Sequence, residues 1–269
     1  MIYNTTRETD NEYHGQSLFN GGPNLSSHAL IAFIDNPAAF HAKKTGLMKS
    51  ADSDAFRVGR AGHCRILEGK EAYQGRYVFG GPINEKTGKP FGQQTKAYEE
   101  WKSEREAEGK ECLSDSDDAL IEFTASGVSM HPEAMEALRE GEAEAVARAK
   151  YCGVPCQIKA DWLRQDAIID LKTCRDLNRF EWDFKDYRYA NQFSFYQKVF
   201  EAFAGVRLPV FCVAVEKAAP YRAAFYRIEQ GVLDNAQLEN EAAIQRIREC
   251  EATGLWLTGY EGVRVIEAR

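Results

Sequence analysis

From Glu144 to Thr173 the patterning of apolar residues is that of strands. The segments AVARAKY, CQIKADWL and AIIDLKT alternate or run apolar over a strand's length, with turn residues between them at Cys152 to Pro155 and Arg164 to Asp166. Three consecutive strands are predicted, most economically as an antiparallel meander. Helical spacing then returns. A helix is expected near Asp176 to Asp183 and a stronger one from about Tyr187 to Phe203. Two more strands, LPVFCVAVE and YRAAFYRIE, precede a long helix from about Gly231 to Cys250.

Upstream, NLSSHALIAFIDNPAAFHAKK opens with Ser26 and Ser27 as helix caps, breaks near Asn36 and Pro37, and resumes as a second helix. A polar linker, KSADSD, leads into AFRVGRAGHCRILEG. There Phe56, Ala61, Cys64 and Leu67 recur at helical spacing, with His63 beside that face and two glycines weakening the helix. Tyr77 to Phe79 predicts a short strand, and GGPINEKTGKPFGQQ has the glycine, proline and lysine content of a mobile loop. Most of Gln94 to Arg148 is expected to be charged helix with a solvated face. The organisation expected is one α/β (α+β) domain. It comprises a helical part over about 13–140, a sheet core over about 141–228 and a C-terminal helix over about 229–253.

Composition sharpens this picture. A chain of 269 residues with 44% hydrophobic content can bury one substantial core. No run of about 18 apolar residues occurs, and MIYNTTRETDNEYHG lacks the pattern of a signal peptide, so a cytoplasmic protein without membrane association is expected. The seven cysteines are scattered and odd in number, which fits reduced thiols. Cys152 and Cys156 have no second ligand pair at zinc-finger spacing, and Gly153 and Pro155 between them suggest a hairpin turn. A net charge of −7 argues against wholesale coating of a polyanion. The segment Glu229 to Arg269 holds eight acidic and four basic residues, however, so basic groups elsewhere remain available to line a local groove.

The candidate chemistry lies in the strands. Asp161 stands in one and Asp170 in the next, and the period of two puts Asp170 and Lys172 on the same face. Phosphodiester hydrolysis at neutral pH needs a cation to neutralise charge at phosphorus and to lower the pKa of the attacking water. Two carboxylates are hard oxygen ligands for Mg²⁺ or Mn²⁺, the Leu171 carbonyl is a further oxygen, and the lysine can orient water or stabilise developing charge. A D-x-K triplet alone is weak. Its context, an apolar strand ending in charge and followed by a helix carrying Gln192 and Tyr196, strengthens it.

Asp161, the Asp170 to Lys172 triplet, Gln192 with Tyr196, and the upstream set Gly59, His63, Leu67 and Glu68 resemble the RecB-type branch of the PD-(D/E)XK nucleases. The order LSSHAL, NPAAFHAKK, FRVGRAGHCRILEG, GVPCQIKADWL, IIDLKTCRD and YANQFSFYQ further resembles the RecE (exonuclease VIII) C-terminal nuclease family across roughly 13–228. This resemblance implies a restriction-endonuclease-like core, a central mixed sheet flanked by helices. It implies an Mg²⁺-dependent 5′ to 3′ exonuclease on linear double-stranded DNA, with Mn²⁺ as a substitute, that leaves 3′ tails for recombination. It also implies a ring-shaped homo-oligomer, a tetramer before a trimer, and a single-strand annealing protein as partner.

By the same resemblance, His63, Asp161 and Asp170 are metal ligands and Lys172 is the catalytic lysine, with Asp170 where the family's usual residue is Glu. Gln192 and Tyr196, four apart, would line the site. Glu144 and Glu68 read more simply as surface glutamates and stay outside the catalytic set. Ser26 and Ser27 at a helix start, with Arg57 and Arg60, are candidates for holding a 5′-phosphate. Lys86, Lys89 and Lys96 are candidates for tracking DNA phosphates. The alternatives are a RecB-like nuclease acting on single strands or in CRISPR adaptation, a restriction-type endonuclease, and a non-catalytic DNA-end-binding protein. Iron–sulfur relatives of the first kind carry clustered cysteines that this chain lacks.

Overall fold

The expected meander forms the centre of a six-stranded sheet. The computed structural model describes residues 3–48, 54–258 and 260–265; residues 49–53 of the polar linker lie outside them. The strands, in chain order, are β1 (Thr6–Arg7), β2 (Tyr77–Phe79), β3 (Ile83–Asn84), β4 (Lys89–Pro90), β5 (Glu111–Leu113), β6 (Glu142–Tyr151), β7 (Val154–Leu163), β8 (Ile168–Cys174), β9 (Val210–Glu216) and β10 (Ala223–Arg227). The helices are α1 (Asp10–Gly15), α2 (Ser27–Asp35), α3 (Pro37–Lys44), α4 (Asp54–His63), α5 (Lys70–Arg76), α6 (Lys96–Ala107), α7 (Asp115–Ser129), α8 (Pro132–Ala137), α9 (Phe180–Asp186), α10 (Tyr189–Ala204) and α11 (Gln230–Thr253).

The main sheet has the order β1-β6-β7-β8-β9-β10, antiparallel throughout except for the parallel pair β8–β9. A parallel pair needs a long crossover, and the helices α9 and α10 supply it. The β6–β7 connection is a two-residue hairpin, tighter than the expected Cys152 to Pro155 turn. Cys152 and Gly153 have φ of 48° and 81°, the sense of twist that joins antiparallel strands without splaying them, and Pro155 already belongs to β7.

Both faces of the central strands are covered, which explains their near-continuous apolar sequences. On β8 and β9, Ile168, Cys174, Val210, Cys212 and Ala214 pack with α2, α3, α10 and α11. Ile169, Leu171, Val213 and Val215 pack on the other side with Leu67, α7 and α8. The fold is thus a central mixed sheet flanked by helices. Among the described residues no helix is long and apolar enough to cross a membrane.

Several expectations change. Phe56 does not share the buried face of Ala61, Cys64 and Leu67 but is 65% exposed. The GGPINEKTGKPFGQQ segment carries the small β3–β4 hairpin. The charged region is not helix up to Arg148: β5 interrupts it to pair with β2, the helices end at Ala137, and β6 starts at Glu142. Nor is it solvated throughout, since α7 buries Ile121, Thr124, Ala125 and Val128 at helical spacing, a stripe hidden in the sequence by its acidic neighbours. The edge strand β1 was too short for any periodicity to announce.

Glu216, at the end of β9, ties the β9–β10 connection to the segment after β8. Arg222 donates to its carboxylate at 2.6 and 3.0 Å, and the Leu177 and Arg222 backbone N–H groups donate at 3.0 and 3.2 Å. These bonds hold its pKa down to about 2, against the opposing effect of burial. Replacement by Ala is expected to cost about 2 kcal/mol in urea unfolding at neutral pH, because the donors lose a charged acceptor. The lowered pKa means that this contribution is complete above the ordinary carboxylate range and vanishes as pH falls through about 2, so the difference between wild type and variant should shrink toward that pH.

Candidate active site

The site is created by two interruptions of the sheet. Ala143 and Ala145 are two apart and should share a face, yet they pack into different core clusters, as do Ala160 and Trp162. The swap occurs at Glu144 and Asp161, which stand opposite each other in a register that pairs Ala143 with Trp162 and Ala145 with Ala160. Glu144 has φ of 56°, a left-handed conformation rare for a glutamate. The second interruption lies between β7 and β8, whose ladder covers only Leu163–Ile168 and Trp162–Ile169. The next pair would be Asp161 and Asp170. There the Asp161 side chain replaces the ladder, its Oδ2 accepting the Leu171 N–H at 2.8 Å. The N–H and C=O of one strand residue point the same way, so the Leu171 carbonyl is directed at the same gap.

His63 arrives from the opposite direction, as the last residue of α4, where the helix widens into a π-turn over Cys64–Glu68. Its Nδ1 lies 3.6 Å from Asp161 Oδ2. Ligand atoms of His63, Glu144 and Asp161 all fall within 4.8 Å of one another, and no other such group of three occurs among the described residues. Glu144 is therefore not the plain surface glutamate expected from sequence. Behind it, Lys159 Nζ bridges Glu144 and Asp10 at 2.5 Å each, a second lysine that sequence reasoning missed.

Asp170 and Lys172 share one face of β8, as the period of two requires, and form a close ion pair. Asp170 is 1% exposed, and the Lys172 ammonium sits over the Tyr189 and Phe193 rings of α10 at 4.9 and 5.5 Å. Gln192 Nε2 donates to Asp170 Oδ1 at 3.5 Å and to the Tyr196 hydroxyl at 3.3 Å, so Tyr196, one turn further along α10, holds the amide that reaches the carboxylate. Asp170 Oδ2 has no aligned hydrogen-bond donor.

Burial dominates the electrostatics. It pushes the pKa of Asp161 up to about 6 and that of Asp170 up to about 7, with the Lys172 charge opposing both shifts. Burial also disfavours the charge on Lys172, but Asp170 and Asp161 outweigh it and raise that pKa. Desolvation lowers the pKa of His63, which keeps the imidazole neutral and free to act as a ligand near neutral pH.

The other sequence candidates are dispersed. Ser26 caps α2, its Oγ accepting the Ala29 N–H at 3.3 Å, and Ser27 is buried in the first turn. Arg60 is engaged with Glu111 at 3.2 Å and Asp10 at 3.6 Å. The charge of Arg57 is felt by Tyr98 and Cys112. Glu68 pairs with Arg7 and Arg76, outside the cluster. Lys86 and Lys89 belong to the β3–β4 hairpin and its turn, and Lys96 pairs with Glu100 at 3.4 Å. His28, exposed in the first turn of α2, was not singled out from sequence. Desolvation, and after it the Lys172 charge, lower its pKa.

A neutral imidazole, carboxylates that face one another across a sheet gap, and a buried carboxylate oxygen without an aligned donor form a donor set that suits a divalent cation. Comparison with known proteins agrees in fold. A family profile described as a PDDEXK-like domain of unknown function (DUF3799) matches residues 26–266. The chain belongs to this PDDEXK-like family. Its structure is similar to the crystal structure of a candidate exonuclease from Eubacterium rectale, with a TM-score of 0.67 at 14% identity, covering 98% of this chain and 96% of that one. No curated protein matches the sequence. The notch between β6, β7 and β8 in this PDDEXK-like chain thus holds the residues that carry the D-x-K resemblance.

Proposed function

We propose that the protein is a metal-dependent exodeoxyribonuclease of RecE type. It degrades one strand of linear double-stranded DNA from the 5′ end and leaves 3′ single-stranded tails for recombination by strand annealing. The observation that carries this reading is the convergence of His63, Glu144 and Asp161 beside the Asp170–Lys172 pair. The PDDEXK-like family and the order of segments resembling RecE support it.

His63, Glu144, Asp161, Asp170 and the Leu171 carbonyl would hold Mg²⁺, with Mn²⁺ as a substitute. Such a cation supplies Lewis acidity toward the phosphoryl group and lowers the pKa of a water. The remaining work falls to the chain. Lys172 is kept cationic by Asp170 and Asp161 and is steered by the Tyr189 and Phe193 rings, so its ammonium is preorganised to meet charge developing on a phosphate oxygen. Gln192, itself bonded to Tyr196, restrains Asp170, and Lys159 restrains Glu144. Tyr13 and the N-terminal acids Glu8 and Asp10 back the β7 side through Gln157, Arg148 and Lys159. A ring-shaped homo-oligomer and an annealing partner belong to the same proposal.

Time-resolved digestion of linear duplex labelled separately at its 5′ and 3′ ends, beside a covalently closed circle, tests it. With Mg²⁺ the 5′ label should be released early while the 3′ label stays on a long strand, and the circle should survive; EDTA should stop the reaction. Cutting of the circle would point to an endonuclease, and loss of the 3′ label first would reverse the polarity. No degradation with any divalent cation would leave only an end-binding role.

A further inference from the structure

Tyr187 stands in solvent with 63% of its surface exposed, although an aromatic side chain of this size usually stabilises a fold by being covered. Its ring lies 5.7 Å from that of Tyr189, and Tyr189 lies 4.9 Å from the Lys172 ammonium. A run of ring surface therefore leads from Lys172 to the outside. The turn presenting it is strained and clamped. Arg188, between the two tyrosines, has φ of 54°, and its guanidinium is held by Asp35 of α2 at 2.7 Å and Glu239 of α11 at 2.9 Å. The local fold does not call for a tyrosine at 187, whose part in ending α9 is a backbone N–H donated to the Asp183 carbonyl at 2.9 Å.

We infer that Tyr187, backed by Tyr189, is a stacking platform for an unpaired nucleobase next to the phosphate addressed by Lys172. This rests on the nuclease reading and adds that the strand end enters as a frayed single strand. Every base has a π-face, so such a platform takes any sequence, and it favours the unpaired state because a paired base is already stacked. Tyr187 would thus be a positioning residue for the substrate end, with no part in the chemistry at phosphorus.

Two measurements test this. The first titrates duplex carrying 2-aminopurine at a frayed terminal nucleotide with protein in EDTA, where nothing is cleaved. The second follows steady-state kinetics with Mg²⁺ on duplexes having paired or mismatched ends. For Tyr187→Ala the apparent affinity seen by 2-aminopurine quenching should fall about tenfold and KM should rise about tenfold with kcat nearly unchanged. Tyr187→Phe should behave as wild type, since stacking needs the ring and not the hydroxyl. Trp182→Ala, removing an equally exposed aromatic without a ring contact among the described residues, should change neither readout. The inference is overturned if Tyr187→Ala matches wild type, or if Tyr187→Phe is as defective as Tyr187→Ala. Quenching that depends on Tyr187 in a protein that cleaves no DNA would uphold the platform and remove the nuclease reading instead.

Discussion

Asp170→Asn and Lys172→Ala are each expected to slow DNA cleavage by about a thousandfold or more, the scale on which loss of a preorganised charge in a desolvated site is felt. The two variants should differ in stability. Asp170→Asn removes a carboxyl whose ionised form is disfavoured by burial but also takes the nearest counter-charge from Lys172, which Asp161 still supports, so the fold should be retained at a smaller cost in stability. Lys172→Ala instead leaves Asp170, 1% exposed, without its counter-charge, and breaking a buried pair from one side costs roughly 3–5 kcal/mol. A double variant, Asp170→Asn with Lys172→Met, avoids that penalty and should fold while remaining inactive. Circular dichroism and urea unfolding report the fold, and initial rates on labelled linear duplex report the chemistry. Any folded single variant keeping more than about a tenth of the wild-type rate would refute the assignment of its residue.

Added Mg²⁺ should raise the melting temperature, and by more at pH 8 than at pH 5. The folded-state pKa values of Asp161 and Asp170 are raised by burial to about 6 and about 7, so the metal-free folded protein holds protons that the unfolded chain has already released. The contribution of these two groups to stability therefore declines as pH rises from the ordinary carboxylate range through 6 and 7. A cation bound at the cluster replaces those protons. Its stabilisation must then grow over the same interval, because the ligands have to be deprotonated before they bind. Lys172, with its pKa raised, stays charged throughout and does not alter the sign. Differential scanning fluorimetry across pH, with and without Mg²⁺, measures the effect. The pH dependence of the Mg²⁺ shift should disappear in the Asp161→Asn/Asp170→Asn variant and diminish in Glu144→Gln. An equal shift at both pH values would place the cation elsewhere.

Much of this site was legible because strands write their geometry into sequence. The alternation of AIIDLKT places Asp170 and Lys172 together without any knowledge of the fold, and the structure shows them paired. Gln192 and Tyr196, four apart in a helix, meet for the same kind of reason. His63 was placed by resemblance and not by pattern; the structure brings it within 3.6 Å of Asp161 from an element about 100 residues earlier. Glu144 was misread, because a left-handed glutamate in the middle of a strand leaves no trace in hydrophobic periodicity. Lys159 and Tyr187 escaped notice for a related reason: the significance of each depends on which neighbours come from distant parts of the chain.

The sequence by itself determined the run of three strands, the helices around them and the two strand residues that face one way, because local period and turn chemistry depend only on neighbours along the chain. Which side chains converge depended on the tertiary structure. The parting of β7 and β8, the kink that turns Glu144 toward Asp161, and the delivery of His63 by α4 all arise where elements meet. Ladder pairing ends where the Asp161 carboxylate takes the Leu171 N–H, a bond that exists only once the strands are side by side. There the sheet opens into a site.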